Sequence, residues 1–428
     1  MPCASVVIPT HNRSAVLRRS LDAFLRQTFP FDSFEVVVVA DGCVDDTVEV
    51  ARGFNAPFQL SFLETPGEGP AAARNKGAAA ARGGLLIFID DDVEVTPGFV
   101  EAHVLAHQKQ SGVIVLGYLP PVLSGQSGFF RTALRTWWEA MFDRMRQRGH
   151  RFRYTDLLSG NFSLSARLFK SLGGFDPNFL CHEDYELGMR AIKAGIFFRF
   201  ESRAAGDHHE LTDLNRALQR KFQEGQADIQ LGQLYPELRE DLLLARLYHF
   251  SRFLSRILRA FTFSKVFVGD LLVGFLERSL HFLEWARMRK TWRRVLDGLM
   301  AYWYWRGVAQ KLKSSEQVEI FLKEGRQACY LQDDQVLAID LSRGLEAAEN
   351  QLDSTRPAGL LIRYGTHWVG SVKPVPSAEA LRGVHLRRIL AGPLLRGLSS
   401  AVALAGGTYI LEGKTGIPAK KEKTGITL

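Results

Sequence analysis

Leu85–Thr96 reads LLIFIDDDVEVT. Its apolar run from Leu85 to Ile89 is short and bulky enough for a strand buried on both faces. Asp90, Asp91 and Asp92 follow directly. A doubly buried strand has no room for adjacent charges, so the carboxylates mark its exit from the core. In open α/β sheets, ligands bind outside the carboxyl ends of the strands. Adjacent like charges repel unless a cation holds them, and a hard divalent ion takes oxygen ligands. A polar turn capping the helix that starts near Pro97 accounts for the same stretch, so the rest of the chain has to decide.

Upstream, the pattern repeats. Cys3–Pro9 is a first strand, ended by Pro9 and followed by Thr10, His11, Asn12 and Arg13. Ser14 caps a helix through Gln27, with Val16, Leu17, Leu21, Phe24 and Leu25 as its apolar stripe. Phe34–Ala40 is a second buried strand running into Asp41 and Gly42, Asp45-Asp46-Thr47 opens a short helix, and Phe58–Leu63 is a third strand. Gly67-Glu68-Gly69-Pro70 leads into an Ala-rich helix, Ala71–Ala81, carrying Arg74. Strands alternating with helices predict a parallel, helix-covered sheet, whose right-handed crossovers set all strand exits on one edge. Thr10–Arg13, Asp41 and Asp90–Asp92 then converge on one rim. The Gly67-x-Gly69-x-x-Ala72 spacing imitates a dinucleotide fingerprint. It follows the third strand rather than the first, and Pro70 is an ordinary first-turn helix residue, so we read it as a lookalike.

Downstream come a helix (Pro97–Gln110) and a strand (Val113–Tyr118). Pro120–Arg153 follows, with Trp137, Trp138 and, from Arg131 on, seven arginines against Glu139 and Asp143. It reads either as a lid or acceptor-binding loop or as a solvated amphipathic helix. Leu157–Ser163 is small and polar at its centre, and Ala166–Leu172 is helical. Cys181-His182-Glu183-Asp184 starts the helix Tyr185–Ala194, where the dipole favours acids at the N-terminus. A plain cap would explain the pair equally. After a strand-like Ile196–Glu201, Asp207-His208-His209-Glu210 offers two imidazoles; a His pair of this kind is more often structural than ligating.

The chain has 428 residues, 46% hydrophobic and 23% charged, the composition of an ordinary globular protein with two or three domains. A net charge of +8 favours anionic partners. Four cysteines, Cys3, Cys43, Cys181 and Cys329, lie far apart without CxxC spacing. This excludes a disulfide framework or a cysteine-built zinc site and fits a reducing cytosol. We expect no leader peptide, because the first strand opens the chain, and no apolar window reaches membrane-spanning length.

Four stretches together resemble the family 2 glycosyltransferases of GT-A fold: VVIPTHNR, VVVVADGCVDDT, GEGPAAARNKGAAAARGGLLIFIDDDVEVTPG and GGFDPNFLCHEDYELGMRAIKAG. They occur in the family's order and spacing over roughly residues 3–235. The resemblance implies an α/β fold, a mostly parallel Rossmann-like sheet flanked by helices. It also implies transfer of a sugar from a nucleotide-diphosphate sugar to a hydroxyl acceptor (glycan, lipid or small molecule), with inversion at the anomeric carbon. By the same resemblance, Pro9, Thr10, His11 and Arg13 line the nucleobase pocket, with His11 stacking, and Asp41 accepts a hydrogen bond from the base. Arg74 approaches the donor, and Asp90 or Asp91 holds the ribose. Asp92, with Asp90, holds a metal bridging the diphosphate, and His208 or His209 adds a ligand. Asp184 is the catalytic base, paired with Glu183. Carboxylates suit Mg2+ or Mn2+, and an imidazole tilts the choice toward Mn2+. The family's paired Asp before Gly is here Ala40-Asp41, so one of the two acids is missing. A sugar-nucleotide nucleotidyltransferase would want a Gly-rich basic loop after the first strand, and Thr10–Ser14 contains no glycine. A catalytically silent nucleotide-sugar-binding scaffold would lack the Glu183-Asp184 pair or the Asp triplet, and both are present.

Beyond this catalytic domain, 1–235, the expected parts are a basic, aromatic-rich helical region, 236–313, a small α+β appendage, 314–395, and a disordered tail, 396–428. Between Arg246 and Arg294 eleven Arg or Lys stand against Asp270, Glu277 and Glu284, interleaved with Phe, Leu and Trp. That reads as a helix lying on an anionic membrane surface or as a hairpin packed on the catalytic domain. No nucleic-acid module accompanies the charge. The expected location is the cytosol, extending to the inner face of the cell membrane. In the appendage, Gln317–Leu322, Ala328–Leu331, Val336–Leu341 and Leu360–Tyr364 are expected strands, with His367–Val372 pairing to the last across the Gly365 turn.

Overall fold

A computed structural model describes residues 2–123, 128–210, 212–250, 262–263, 268–329 and 335–406. The chain forms two compact units, one of Met1–Asp143 with Tyr154–Gln327 and one of Arg144–Arg153 with Ala328–Leu428.

The first unit is built on an eight-stranded sheet in the order β3-β2-β1-β4-β7-β6-β8-β5. The strands are β1 (Ala4–Thr10), β2 (Phe34–Asp41), β3 (Gln59–Thr65), β4 (Leu85–Ile89), β5 (Val93–Val95), β6 (Val113–Tyr118), β7 (Asn161–Ser165) and β8 (Phe197–His208). β1 runs parallel to β2 and β4, β2 to β3, and β6 to β8, while β7 and β5 are antiparallel to their neighbours. Every position of β2 and β4 is buried, as near-continuous Val, Ile, Leu and Phe require of strands covered on both faces. Helices α1 (Ser14–Phe24), α2 (Thr47–Gly53), α3 (Pro70–Ala80) and α4 (Phe99–Lys109) make the crossovers.

The sequence reading missed β7, whose Asn-Phe-Ser-Leu-Ser composition hides a strand. It enters the sheet antiparallel between β4 and β6, so its first residue, Asn161, pairs with Ile89 at the last position of β4. This sets Leu158–Gly160 on the same rim as the Asp triplet, and the Asp90 N–H donates to the Gly160 carbonyl at 3.3 Å. Behind the rim, buried His103 of α4 places Nδ1 2.8 Å from Ser163 Oγ and Nε2 2.9 Å from Asn161 Oδ1. Burial outweighs the Asn161 contact and pushes the imidazole down to about 3.

After α5 (Phe129–Arg146), α6 (Ala166–Ser171) and α7 (Glu183–Lys193), the chain continues into α8 (Leu214–Leu234), α9 (Leu243–Phe250), α10 (Val268–Trp285), α11 (Arg289–Lys311) and α12 (Ser315–Cys329). α8 and α11 cross almost backbone to backbone: a Cβ on Gly307 would lie 1.9 Å from the Phe222 carbonyl oxygen, and one on Gly225 2.1 Å from that of Tyr304. Among the described residues no helix is long and apolar enough to cross a membrane.

The expected strand at Gln317–Leu322 is instead part of helix α12. Val318, Phe321 and Leu322 are buried beside Ile229, Tyr304 and Trp305, an i, i+3, i+4 pattern that puts them on one helical face. Ala328 and Cys329 also belong to that helix, and 330–331 lie outside the described residues. Thus the helical region runs on past 313, and the division into units falls later than the expected boundary.

The second unit has a three-stranded sheet in the order β11-β10-β9, with β9 (Val336–Asp340) parallel to β10 (Gly359–Tyr364) and β11 (His367–Val372) antiparallel to it. α13 (Leu345–Thr355), α14 (Gly383–Ala391) and α15 (Leu395–Leu404) complete its core, with Leu352, Leu360, Ile362, Leu386 and Leu398 fully buried. α15 occupies the start of the expected tail, and 407–428 lie outside the described residues.

The His103 environment makes a signed prediction about pH. An unfolded imidazole binds its proton near pH 6.5, whereas the native one refuses it down to about 3. Stability present above about pH 6.5 should therefore be lost as pH falls, at up to about 1.4 kcal/mol per unit from this group. His103→Gln retains hydrogen-bonding groups and should flatten that slope in urea midpoints measured between about pH 7 and about pH 5.

Candidate active site

At the carboxyl rim of the sheet, a cleft of about 690 Å3 is lined by Pro9, Thr10, His11, Arg13, Asp41, Arg74, Asp90, Asp91, Asp92, Glu183, Asp184 and His208. Twelve of the thirteen residues singled out from the sequence therefore share one cavity. The thirteenth, His209, points elsewhere, its Nε2 2.9 Å from Glu94 Oε1. The reason is strand periodicity. His208 pairs with Val93 in the β5–β8 ladder, and successive side chains point to opposite faces. His208 therefore turns to the Asp triplet and His209 away from it.

Arg74 ties the two acidic motifs together. It projects from α3, buried, and donates from Nη2 to Asp90 Oδ1 at 2.8 Å and from Nη1 to Glu183 Oε1 at 3.0 Å. Burial pushes the Glu183 carboxyl up and neighbouring Asp184 adds to it, with Arg74 opposing. Arg74 keeps its own charge because Asp90 and Glu183 outweigh its desolvation.

A second cation, Arg13, holds the other end of the triplet. Its Nη1 lies 2.9 Å from Asp91 Oδ1 and 3.0 Å from Asp92 Oδ2, and the Thr10 hydroxyl donates to Asp91 Oδ2 at 2.6 Å. Burial still raises the Asp91 carboxyl to about 6. His208 Nε2 stands 3.2 Å from Asp92 Oδ1, an ion-pair distance without hydrogen-bond alignment. Asp92 Oδ1 is buried with no hydrogen-bond partner among the described residues. Burial lowers His208, but Asp92 more than compensates and holds it near 8. His208 and Arg13 in turn draw Asp92 below the usual carboxylate range, against its burial.

Asp41 is occupied within the fold. Its carboxylate accepts from the Thr65 hydroxyl at 2.5 Å and from the N–H groups of Gly67, Glu68 and Gly69 at 3.1, 2.9 and 2.7 Å. Burial would raise it, yet these donors hold it below the ordinary value. His11 reaches the Asp41 carbonyl through Nδ1 at 2.5 Å. Gly42 packs against this loop, where a Cβ would lie 2.8 Å from the Gly67 Cα.

Glu183 and Asp184 occupy the first turn of α7, where unpaired backbone N–H groups favour carboxylates. The Ser159 N–H, brought by β7, donates to Asp184 Oδ2 at 3.1 Å. The preceding His182 adopts a left-handed backbone, φ 65°, strained for a residue with a side chain. It is fixed by stacking on Tyr185 at 4.3 Å and by Nδ1 lying 3.3 Å from Asp228 Oδ1, whose other oxygen accepts from the Tyr304 hydroxyl. The helical region thereby buttresses the turn that presents Asp184.

Trp138, Ser159, Asn161, Arg216 and Arg220 also line the cleft. The arginines lie one turn apart on α8 without a motif to mark them; only the i, i+4 spacing, visible in the sequence, put both on one face. Among the described residues no group of three or more His, Cys, Asp or Glu is arranged to hold a metal ion. The unpartnered Asp92 oxygen beside His208 would offer a divalent ion one hard oxygen and, once the imidazolium has released its proton, one imidazole nitrogen.

The site is thus a mostly parallel sheet with acids at its carboxyl rim, crossed by an arginine that pairs two of them. Residues 5–173 match the model of glycosyl transferase family 2. Validoxylamine A glucosyltransferase of Streptomyces hygroscopicus subsp. jinggangensis is 34% identical over 225 residues, 46% of this chain and 53% of that protein. The chain thus spans about half the length of that relative. Glycosyltransferase AglE of Haloferax volcanii is 25% identical over 301 residues, 70% of this chain and 89% of that protein. Among solved structures, the mannosyltransferase PcManGT of Pyrobaculum calidifontis, in complex with GDP-Man and Mn2+, aligns with 70% of this chain and 86% of its own at 17% identity and a TM-score of 0.49.

Removing Arg74 should leave the buried Glu183 carboxylate and the partly exposed Asp90 without their shared cation. Arg74→Met is expected to cost about 3–5 kcal/mol in urea unfolding, with Arg74→Lys recovering part of the loss, because one partner of a buried ion pair is expensive to strand.

Proposed function

We propose that this chain transfers a sugar from a nucleotide-diphosphate sugar to a hydroxyl acceptor with inversion at the anomeric carbon. The observation that carries the reading is the shared cleft, in which Arg74 spans from Asp90 to Glu183 and so sets the donor-side acids beside Asp184. The nucleobase lies against Pro9–Arg13, with the ribose toward Asp90 and Asp91. Asp41 contributes by ordering the Gly67–Gly69 loop at the pocket edge, since its carboxylate already accepts four hydrogen bonds.

In the reaction the acceptor oxygen forms a bond to the anomeric carbon. The bond from that carbon to the diphosphate oxygen breaks, and the nucleoside diphosphate leaves with the electron pair. The acceptor proton passes to Asp184, held in place by the Ser159 N–H. Proton acceptance by a positioned base is typically worth about 10²–10⁴-fold. A divalent cation, Mn2+ or Mg2+, held by Asp92 with Asp90 and His208, would supply Lewis-acid stabilisation of the diphosphate charge. Arg216 and Arg220, on the same cleft wall, add positive potential for the departing diphosphate.

The test is nucleotide release across a panel of donor sugars with Mn2+ or Mg2+. Asp184→Asn should retain donor binding and lose roughly 10²–10⁴-fold in turnover, whereas Asp92→Ala should weaken metal-dependent donor binding. Transfer by Asp184→Asn at the parent rate would reject the base assignment.

A further inference from the structure

Among its described side chains, helix α10 has one apolar face that is covered and another that is open. Val273, Leu280 and Leu283 are buried against Trp292, Leu296, Leu299 and Tyr302 of α11. On the other side Phe275, Phe282 and Trp285 are 66%, 59% and 80% exposed. Their i, i+7, i+10 spacing places them along one stripe, and exposed Met288 continues it into the turn before α11. A single exposed hydrophobic residue needs no explanation, but a contiguous aromatic stripe does.

Among the described residues of α10 and the start of α11, exposed cations outnumber exposed acids. Arg278, Arg287, Arg289, Lys290, Arg293 and Arg294 are all exposed. Two of the acids that interrupt this run in sequence, Glu277 and Glu284, are engaged elsewhere. Glu277 accepts from the Trp303 indole N–H at 3.3 Å, and Glu284 accepts from the Phe129 N–H at the start of α5. Asp297 is taken up by Arg293 at 2.9 Å. Where the start of α11 meets α5, a cavity of about 190 Å3 combines the apolar walls of Phe129, Ala133 and Trp292 with the guanidinium-bearing Arg289 and Arg293. Aromatic side chains flanked by cations match the interfacial zone of an anionic bilayer, where rings sit among headgroups and each nearby cation adds about 1 kcal/mol.

We propose that the exposed face of α10 and the start of α11 dock on an anionic phospholipid surface, with Phe275, Phe282 and Trp285 entering the headgroup layer and the surrounding cations on lipid phosphates. This surface is separate from the donor cleft, and the proposal holds whatever sugar the cleft takes.

The test is flotation of the full chain with vesicles of phosphatidylcholine alone or mixed with phosphatidylglycerol. Binding should be roughly tenfold or more tighter to the anionic vesicles and should weaken with salt. Phe282→Ser with Trp285→Ser should reduce it roughly tenfold or more, and Arg287→Glu with Lys290→Glu should remove the lipid-charge preference, while circular dichroism and nucleotide release stay at parent levels. Failure of the parent chain to float, equal binding to both vesicles, or parent-like binding by the serine variant would overturn the proposal. Lipid-free sedimentation supplies the remaining arm. Dimerisation abolished by the serine substitutions, with flotation unchanged, would give the face to a second copy of the chain and also overturn it.

Discussion

The site depends on one guanidinium. Arg74 is buried on the Ala-rich helix α3 and reaches a carboxylate on each side, Asp90 at the end of β4 and Glu183 at the start of α7. The two acids lie 93 residues apart in sequence. Without a cation between them, their approach in a low-dielectric cleft would be strongly unfavourable. The small residues of α3 let it sit close on the sheet: a Cβ on Gly77 would meet Val7 at 2.5 Å. That close seat brings Arg74 to the rim. Packing of the helix and electrostatics of the cleft are in this sense a single constraint.

The remaining charges divide between structure and chemistry. Asp91 is spent on Thr10 and Arg13, and Asp41 on the Gly67–Gly69 loop. Asp90 retains more solvent access, and Asp92 keeps an oxygen without a hydrogen bond beside His208. The triplet's three identical side chains therefore have three environments. Similarly, Glu183 faces the arginine while Asp184 faces the Ser159 N–H. Identical residue types acquire different roles from which strand or helix end presents them.

This difference separates what could be read in the sequence from what could not. Buried strands ending in acids were visible as Val-, Ile- and Leu-rich runs stopped by Asp, and parallel crossovers then required a shared rim. β7 escaped notice because its alternating Asn and Ser residues serve buried hydrogen bonds to His103 rather than solvent. His208 and His209 were indistinguishable in sequence, since only the β5–β8 register decides which one turns inward. Gln317–Leu322 reads as a strand in sequence because a short apolar run does not reveal its period. Its partners on α8 and α11, distant in sequence, select the helical face. Those same partners, through Asp228 and Tyr304, support the left-handed turn at His182, a link that no local motif carries.

The central claim is that segments distant in sequence close on one nucleotide. It is tested most directly by hydrogen–deuterium exchange on the full chain, with and without UDP, GDP or dTDP in the presence of Mn2+. The account predicts that the nucleotide that binds slows exchange together in the segments around Thr10–Arg13, Gly67–Arg74, Asp90–Asp92, Ser159–Asn161 and Glu183–Asp184. Protection confined to a single one of these segments, or appearing only outside them, would contradict it.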